Sequence, residues 1–237
     1  MRVDLQLAYI LHARPYRDTS LLIDLLTPDY GRVTAVARGV RKNKTPKRQL
    51  LNPFSRLLVS WQGKTDMKLL TSFESDNLFL SLTANHLYSG FYLNELLVRL
   101  LPEMDSHNGI YHAYEQSLNA LQAGEDIEPL LRVFEFRLLT ELGYGLDFTQ
   151  DARNHCAIVP DGFYECHIQE GFFSAAPNLP EQFLLKGECL LAIDCGDYSL
   201  PATRLAAKQL ARRLLKPLLG SRPLNSRELF VSSKPTE

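Results

Sequence analysis

Residues 20–37 read SLLIDLLTPDYGRVTAVA. Two short apolar runs, Ser20–Leu26 and Arg32–Ala37, flank Pro28-Asp29-Tyr30-Gly31, a cluster of turn formers. Runs of this length bounded by turn residues predict strands rather than helices. Proline fixes φ for a turn, and Asp and Gly tolerate the remaining turn conformations, so the chain reverses here. The stretch predicts two consecutive strands joined by a tight connection.

The same pattern continues on both sides. Leu5–Leu11, Phe54–Trp61 and Met67–Phe73 are further strand candidates, and Gln62-Gly63-Lys64-Thr65-Asp66 separates the last two. Five strands in about seventy residues predict a small closed or nearly closed barrel. A five-stranded oligonucleotide-binding (OB) barrel fits that count and length, and another small β-barrel fits the pattern nearly as well. Of the aromatic residues in this half, Tyr16 and Tyr30, flanked by polar or turn residues, are the expected exposed rings.

Charge is distributed unevenly over the 237 residues. The formal net charge is −1, yet residues 1–65 carry +8, residues 66–197 carry −15 and residues 198–237 carry +6. Between Tyr30 and Lys64 there are nine basic side chains and no acid. Concentrated positive charge is the footprint of a polyanion partner, because each neutralised phosphate releases counterions. Much of this block falls in the polar connection Gly39–Arg48, which can follow an irregular phosphate backbone. A solvated loop is the alternative.

After Asn77 the period changes to that of helices. Helices are expected over Leu78–Leu101, stopped by Pro102, over Ile110–Leu121, and from Asp126 to about Leu142. Acids and proline in the first turn mark the start of the third, whose buried face would carry Leu131, Phe134, Leu138 and Leu142. The stretch Cys156–Ser174 reads as an irregular β element. A final helix, Ala202–Leu219, places Arg204, Lys208, Arg212 and Lys216 at four-residue spacing, with Leu205, Leu210, Leu214 and Leu215 on the other side. Like charges so spaced repel, so the stripe wants a counter-ion, from the acidic middle of the chain or from DNA. The expected fold class is α+β. An OB-fold barrel, residues 1–76, precedes a mainly helical domain, residues 77–237, with a small irregular β insertion at about 150–176.

Catalytic patterns are missing: there is no Walker-type loop, Gly-x-Ser-x-Gly elbow or His-Glu-x-x-His, so a non-enzymatic binding protein is expected. Cys156, Cys166, Cys189 and Cys195 form no Cys-x-x-Cys pair. The expectation is therefore buried free thiols and no metal. No stretch is long and apolar enough for a membrane span, and the N-terminus lacks signal-peptide character, so a cytoplasmic protein without a membrane partner is expected. A scaffold for an acidic partner and an RNA-binding module are the competing readings.

Several segments together resemble the bacterial RecO family of recombination mediators: Tyr9-Ile10-Leu11-His12-Ala13-Arg14-Pro15-Tyr16, Asp18-Thr19-Ser20-Leu21-Leu22, Gly31-Arg32-Val33 and Ala37-Arg38-Gly39-Val40-Arg41. Further along the chain, Leu87–Leu97, Arg132-Val133-Phe134-Glu135, Leu142-Gly143-Tyr144-Gly145 and Ser226-Arg227-Glu228-Leu229-Phe230 are also similar to it. The resemblance implies binding of single- and double-stranded DNA. It also implies annealing of strands coated with single-strand-binding protein, and RecA loading together with RecR. It places DNA contacts at Arg14, Arg32, Arg38, Arg41, Lys42, Lys44, Lys47 and Arg48, extended by Arg204, Lys208 and Arg212 if the two basic ends converge. It also places the docking of the acidic, Phe-ended tail of single-strand-binding protein at Arg132, with Leu131 and Phe134. Many relatives hold zinc through two Cys-x-x-Cys pairs, of which only Cys156 keeps register here.

Overall fold

The structure is a computed structural model. It describes residues 1–41, 46–76, 78, 80–175 and 184–232, without the side chains of residues 46, 47 and 230–232. The expected contacts Lys42 and Lys44, and the side chain of Lys47, therefore lie outside the described residues.

Five strands, β1 (Arg2–Tyr16), β2 (Ser20–Thr27), β3 (Gly31–Ala37), β4 (Arg56–Gln62) and β5 (Lys68–Ser75), close a barrel in the order β1-β2-β3-β5-β4. All ladders are antiparallel except the two-pair parallel closure of β3 on β5, Ala35↔Lys68 and Val36↔Leu69. This is the OB fold. Strand β1 is fifteen residues long, well beyond the expected Leu5–Leu11, because it serves both neighbours. Its first half pairs with β4 (Val3↔Trp61, Tyr9↔Arg56) and its second half with β2 (Tyr9↔Leu26, Tyr16↔Ser20). Register shifts between Val3 and Gln6 and between Ile10 and His12 bend it around the corner.

Alternation decides which side chains fill the barrel. Ile10, Ile23, Leu25, Val33, Ala35, Val59, Trp61 and Leu70 point inward into one core cluster. Leu22, Asp24, Arg32, Thr34 and Val36 occupy the alternate positions on β2 and β3, on the outer face. The β2–β3 connection is the expected turn. Thr27 Oγ1 donates to Gly31 O (3.0 Å) and accepts from Tyr30 N (3.1 Å). The expectation that Tyr30 is an exposed ring is corrected: it is partly buried against the core and stacks edge-on to Trp61, centroids 5.3 Å apart. Tyr16 is also partly buried. A short helix, α1 (Pro46–Gln49), lies between β3 and β4.

The helices are α2 (Ala84–Leu100), α3 (Asn108–Ala123), α4 (Ile127–Glu141), α5 (Gly187–Asp194), α6 (Pro201–Leu219) and α7 (Ser226–Ser232). Helix α2 begins six residues after the expected Leu78; the preceding stretch is apolar but lacks helical spacing, and Thr83 is the N-cap. Helix α4 starts where its acids place it: Asp126 is the N-cap and its side chain accepts from Glu128 N. The expected β insertion is present as an antiparallel sheet of β6 (Phe163–His167), β7 (Gly171–Ser174) and β8 (Leu184–Lys186), in the order β7-β6-β8.

Two compact units form. One joins Met1–Glu125 with Arg222–Glu237; the other is Asp126–Ser221. The expected division at residues 76 and 77 thus marks a change of element within the first unit, where α2 and α3 accompany the barrel. In that unit Asn94 Nδ2 donates to Leu11 O (2.7 Å), and its Oδ1 accepts from Tyr114 Oη (2.5 Å). Arg56 forms ion pairs with Asp76 and Glu115.

Candidate nucleic-acid interface

In an OB barrel the ligand lies across β2 and β3, between the β1–β2 and β4–β5 loops. Here those loops are Arg17-Asp18-Thr19 and Gly63–Met67, and a cleft of about 580 Å³ opens between them. Its walls carry Arg17, Arg38 and Lys68 as cations, the Tyr16 ring, and the side chain of Met67, which is exposed. The Arg17 guanidinium lies 5.4 Å from the centre of the Tyr16 ring. The Lys68 Nζ donates to Thr65 O at 2.6 Å, which fixes it at the base of the β4–β5 loop.

The start of the basic connection after β3 is held against the same place. Arg41 N donates to Thr19 O (3.0 Å) and Arg41 Nη1 to Arg17 O (2.9 Å), so residue 41 lies on the β1–β2 loop. Arg38 is exposed at the end of β3, Lys64 is exposed on the β4–β5 loop, and Arg48 is exposed on α1. The arrangement gathers cations from three separate stretches around one ring and one thioether. Arg17 was not among the expected contacts. The signal for it was its place in the loop between the first two strands, which borders the ligand face of this fold.

The lower part of the outer face differs. Asp24, only 2% exposed, has Oδ2 at 3.6 Å from His12 Nδ1 and 4.0 Å from Arg14 Nη1; its Oδ1 is 3.6 Å from Arg32 Nη1 and accepts from Thr34 Oγ1 at 3.0 Å. Burial pushes this carboxyl up. The neighbouring His12 ring, the Thr34 hydrogen bond and the charges of Arg14 and Arg32 outweigh that and hold it below the usual range. Arg32 is further committed: its Nε donates to Leu101 O (2.9 Å) and its Nη1 to Glu103 (3.0 Å). Among the expected contacts, Arg14 keeps half of its side chain exposed, whereas Arg32 is internally neutralised.

The remaining expected contacts belong to the second unit. On α6, Arg204 pairs with Asp126 and Lys208 with Glu128, each at 2.6 Å. The counter-ion that the stripe required comes from the acidic middle of the chain. Arg212 is exposed and makes no ion pair among the described residues. Leu205, expected on the apolar side, is 57% exposed, while Leu210, Leu214 and Leu215 are buried.

On α4, Arg132 is only 7% exposed, and its Nη2 donates to Glu135 at 2.6 Å. Phe134 is buried in the core and Leu131 is partly buried. The nearby Tyr198 hydroxyl is pushed up to about 12, chiefly by burial.

The thiols do not fit a zinc site. Cys166 and Cys189 are buried and Cys156 and Cys195 exposed, all free, and no group of three or more metal-type ligands assembles among the described residues. Burial pushes the Cys166 thiol up to about 11. The insertion is organised by Asp151 instead. This carboxylate is 2% exposed; it accepts from Arg153 N and Ser174 N, each at 2.8 Å, and from the Ser174 hydroxyl. Its backbone N donates to Cys156 O and its carbonyl accepts from His155 N, both at 2.8 Å.

Comparison with known proteins gives two family matches: Recombination protein O N terminal over residues 1–79 and Recombination protein O C terminal over residues 82–228. A protein of Cellvibrio japonicus (strain Ueda107) named DNA repair protein RecO is 62% identical over 99% of this chain and 100% of its own. Proteins of the same name from Actinobacillus pleuropneumoniae serotype 7 (42% identical, 97% of this chain and 95% of theirs) and Haemophilus influenzae Rd (40%, 98% of each) are also similar. Among the described residues no helix is long and apolar enough to cross a membrane.

Proposed function

Because this chain belongs to the recombination protein O family, we propose that it is a DNA repair and recombination mediator whose cleft between the β1–β2 and β4–β5 loops binds DNA. The observation that carries this reading is the cleft's composition on an OB barrel: Arg17 and Arg38 with the Tyr16 ring and Met67. Cations neutralise phosphates, while a ring and a thioether accept any base face, a combination suited to single strands of any sequence. Arg41 on the β1–β2 loop and Lys64 on the β4–β5 loop extend the same positive rim, and Lys42, Lys44, Lys47 and Arg48 follow Arg41 in the sequence. Double-stranded DNA would be held by the same phosphate contacts, since those carry no sequence information.

Annealing follows from charge. Two strands repel through their phosphates, and a protein that supplies positive surface lowers that cost without hydrolysis or turnover. Arg14 continues the rim along β1, and Arg212 supplies a second, separate cation on α6. Arg32, Arg204 and Lys208 would contribute only by exchanging their present carboxylates for phosphates.

The partners we propose are those the resemblance implies: the C-terminal tail of single-strand-binding protein, RecR, and RecA through its loading at gaps, in the cytoplasm at the nucleoid. Tail docking at Leu131, Arg132 and Phe134 requires the Arg132 guanidinium to release Glu135 and take the tail's carboxylate in its place, a swap of one charge-assisted bond for another.

The test is titration of a fluorescent oligonucleotide at several salt concentrations. Replacing Arg17 and Arg38 together with alanine should weaken binding and flatten the log-log salt slope by about 1.4, from about 0.7 per lost contact on single strands. An unchanged slope would remove the cleft from the binding surface. Failure of the unmodified protein to accelerate pairing of strands coated with single-strand-binding protein, in EDTA, would remove the mediator reading.

A further inference from the structure

A second concavity in the barrel unit differs in chemistry from the loop cleft. It lies between β1, α2 and the returning helix α7 and has a volume of about 370 Å³. Its floor is apolar: Leu11, Phe91, Val98 and Leu229. Arg14 and Arg222 stand on its rim, both exposed, with His12 beside Arg14. The single carboxylate among the described lining residues is Glu95, and it is occupied by the start of α7. It accepts from Asn225 N (2.9 Å), Ser226 N (2.8 Å) and Ser226 Oγ (2.7 Å) and lies 3.7 Å from Arg99. The groove therefore combines an apolar floor with arginines that outnumber its own acid; Arg222 is exposed, and Arg14, half exposed, lies 4.0 Å from Asp24 on the neighbouring strand.

We propose that this groove docks an acidic peptide segment of a partner protein, with one bulky apolar side chain seated between Phe91, Val98 and Leu229 and its carboxylates on Arg222 and Arg14. Guanidinium groups recognise carboxylates through paired, charge-assisted hydrogen bonds. A mostly apolar pocket of this size with a few polar groups at its edge is built to hold a side chain. Nucleic acid fits less well. Aliphatic side chains form most of the floor, and a phosphate backbone calls for a row of cations, whereas of the three arginines here Arg99 is turned to Glu95 and the Arg222 and Pro223 carbonyls. The proposal is separate from tail docking at Arg132, which lies on α4 in the other unit, and does not depend on it.

The experiment is fluorescence anisotropy on the full-length protein, with the labelled hexapeptide Glu-Asp-Leu-Phe-Glu-Asp as probe. The same peptide with alanine at its two apolar positions serves as control. Binding of the first peptide and not the second is expected. Arg222→Glu should weaken it by about tenfold, the size of one charge-assisted contact. Val98→Trp, which fills the floor without touching charge, should weaken it comparably. Thermal melts of both variants report whether the fold is kept; if one variant fails to fold, the other decides. No binding by the unmodified protein up to about 1 mM peptide, the weak end of the affinity scale, would overturn the proposal. So would binding indifferent to both substitutions, or sensitive only to Arg132→Ala. Loss of oligonucleotide binding in both variants, without peptide binding, would assign the groove to nucleic acid and overturn it equally.

Discussion

Gly31 shows how one residue ties the barrel to the chain beyond it. Its φ is +62°, and a Cβ there would lie 1.6 Å from Asp105 O. Only glycine allows residues 103–106 to run along the end of β3, where Met104 N donates to Arg32 O at 2.8 Å. Gly31→Ala should destabilise the protein by more than the ~1–2 kcal/mol of a strained left-handed residue, because the backbone contact must also open; denaturant midpoints measure this. The turn itself was legible in Pro28-Asp29-Tyr30-Gly31, but its second role was not, since nothing in a turn motif says what will pack on it. Arg132 and Asp24 teach the same lesson. Each looks like an ordinary charged residue in the sequence, and each is buried because a distant or helical neighbour supplies its counter-charge.

At the scale of elements, periodicity carried most of the information. Strands β2 to β5 and helices α3, α4 and α6 stand within a few residues of their expected places, because each has an apolar period or a cap to mark it. Strand β1 was half-read, since the bulges that let it serve two partners leave no mark in the sequence. The insertion was legible as a β element over Cys156–Ser174, but what organises it was not. What holds it, the Asp151 carboxylate, accepts bonds from residues two and twenty-three positions away. Hydrogen bonds from Ser174 are the largest influence on this carboxyl and keep its pKa below the ordinary carboxylate value. A group whose folded pKa is depressed stabilises above its unfolded pKa, near 3.9, and that contribution is lost as pH falls through the folded value. The insertion should therefore keep its protection at neutral pH in EDTA and lose it in acid below about pH 4. Asp151→Asn, which leaves a buried donor unpaired, should cost about 1–3 kcal/mol at neutral pH and flatten that acid dependence. Limited proteolysis across pH, with cleavage mapped to residues 150–175, measures both effects. Equal protection of the unmodified protein and the variant at pH 7 would dismiss Asp151 as the organising group.

The whole molecule is two units whose sequences are nested: the chain leaves the barrel unit after Glu125 and re-enters it at Arg222. Re-entry is secured on α2, where Glu95 takes the first donors of α7 and Arg99 donates to Arg222 O (2.8 Å) and Pro223 O (3.0 Å). Burial raises the Glu95 carboxyl, but the Ser226 and Asn225 hydrogen bonds and Arg99 hold it below its ordinary value. Glu95→Ala should thus release α7. Hydrogen exchange would then rise in α7 and in the part of α2 that faces it, with α4 to α6 unchanged, and uniform loosening of all helices would contradict this assignment. The nesting was invisible in the sequence: the change of charge and period near residue 77 marks the passage from the barrel to the helices, and no composition shift marks residue 126 or 222.

That nesting also orders events during synthesis. The barrel and its first two helices emerge early but lack the wall that α7 provides, and the ribosome must translate the entire second unit before supplying it. At 5–20 residues per second, that interval is roughly 5–20 s. The middle of the chain can fold as soon as it emerges, whereas the Leu11, Phe91 and Val98 floor stays uncovered on its α7 side for that time. A nascent chain stalled before Arg222 would therefore offer chaperones a specific apolar surface that the finished protein narrows to a groove.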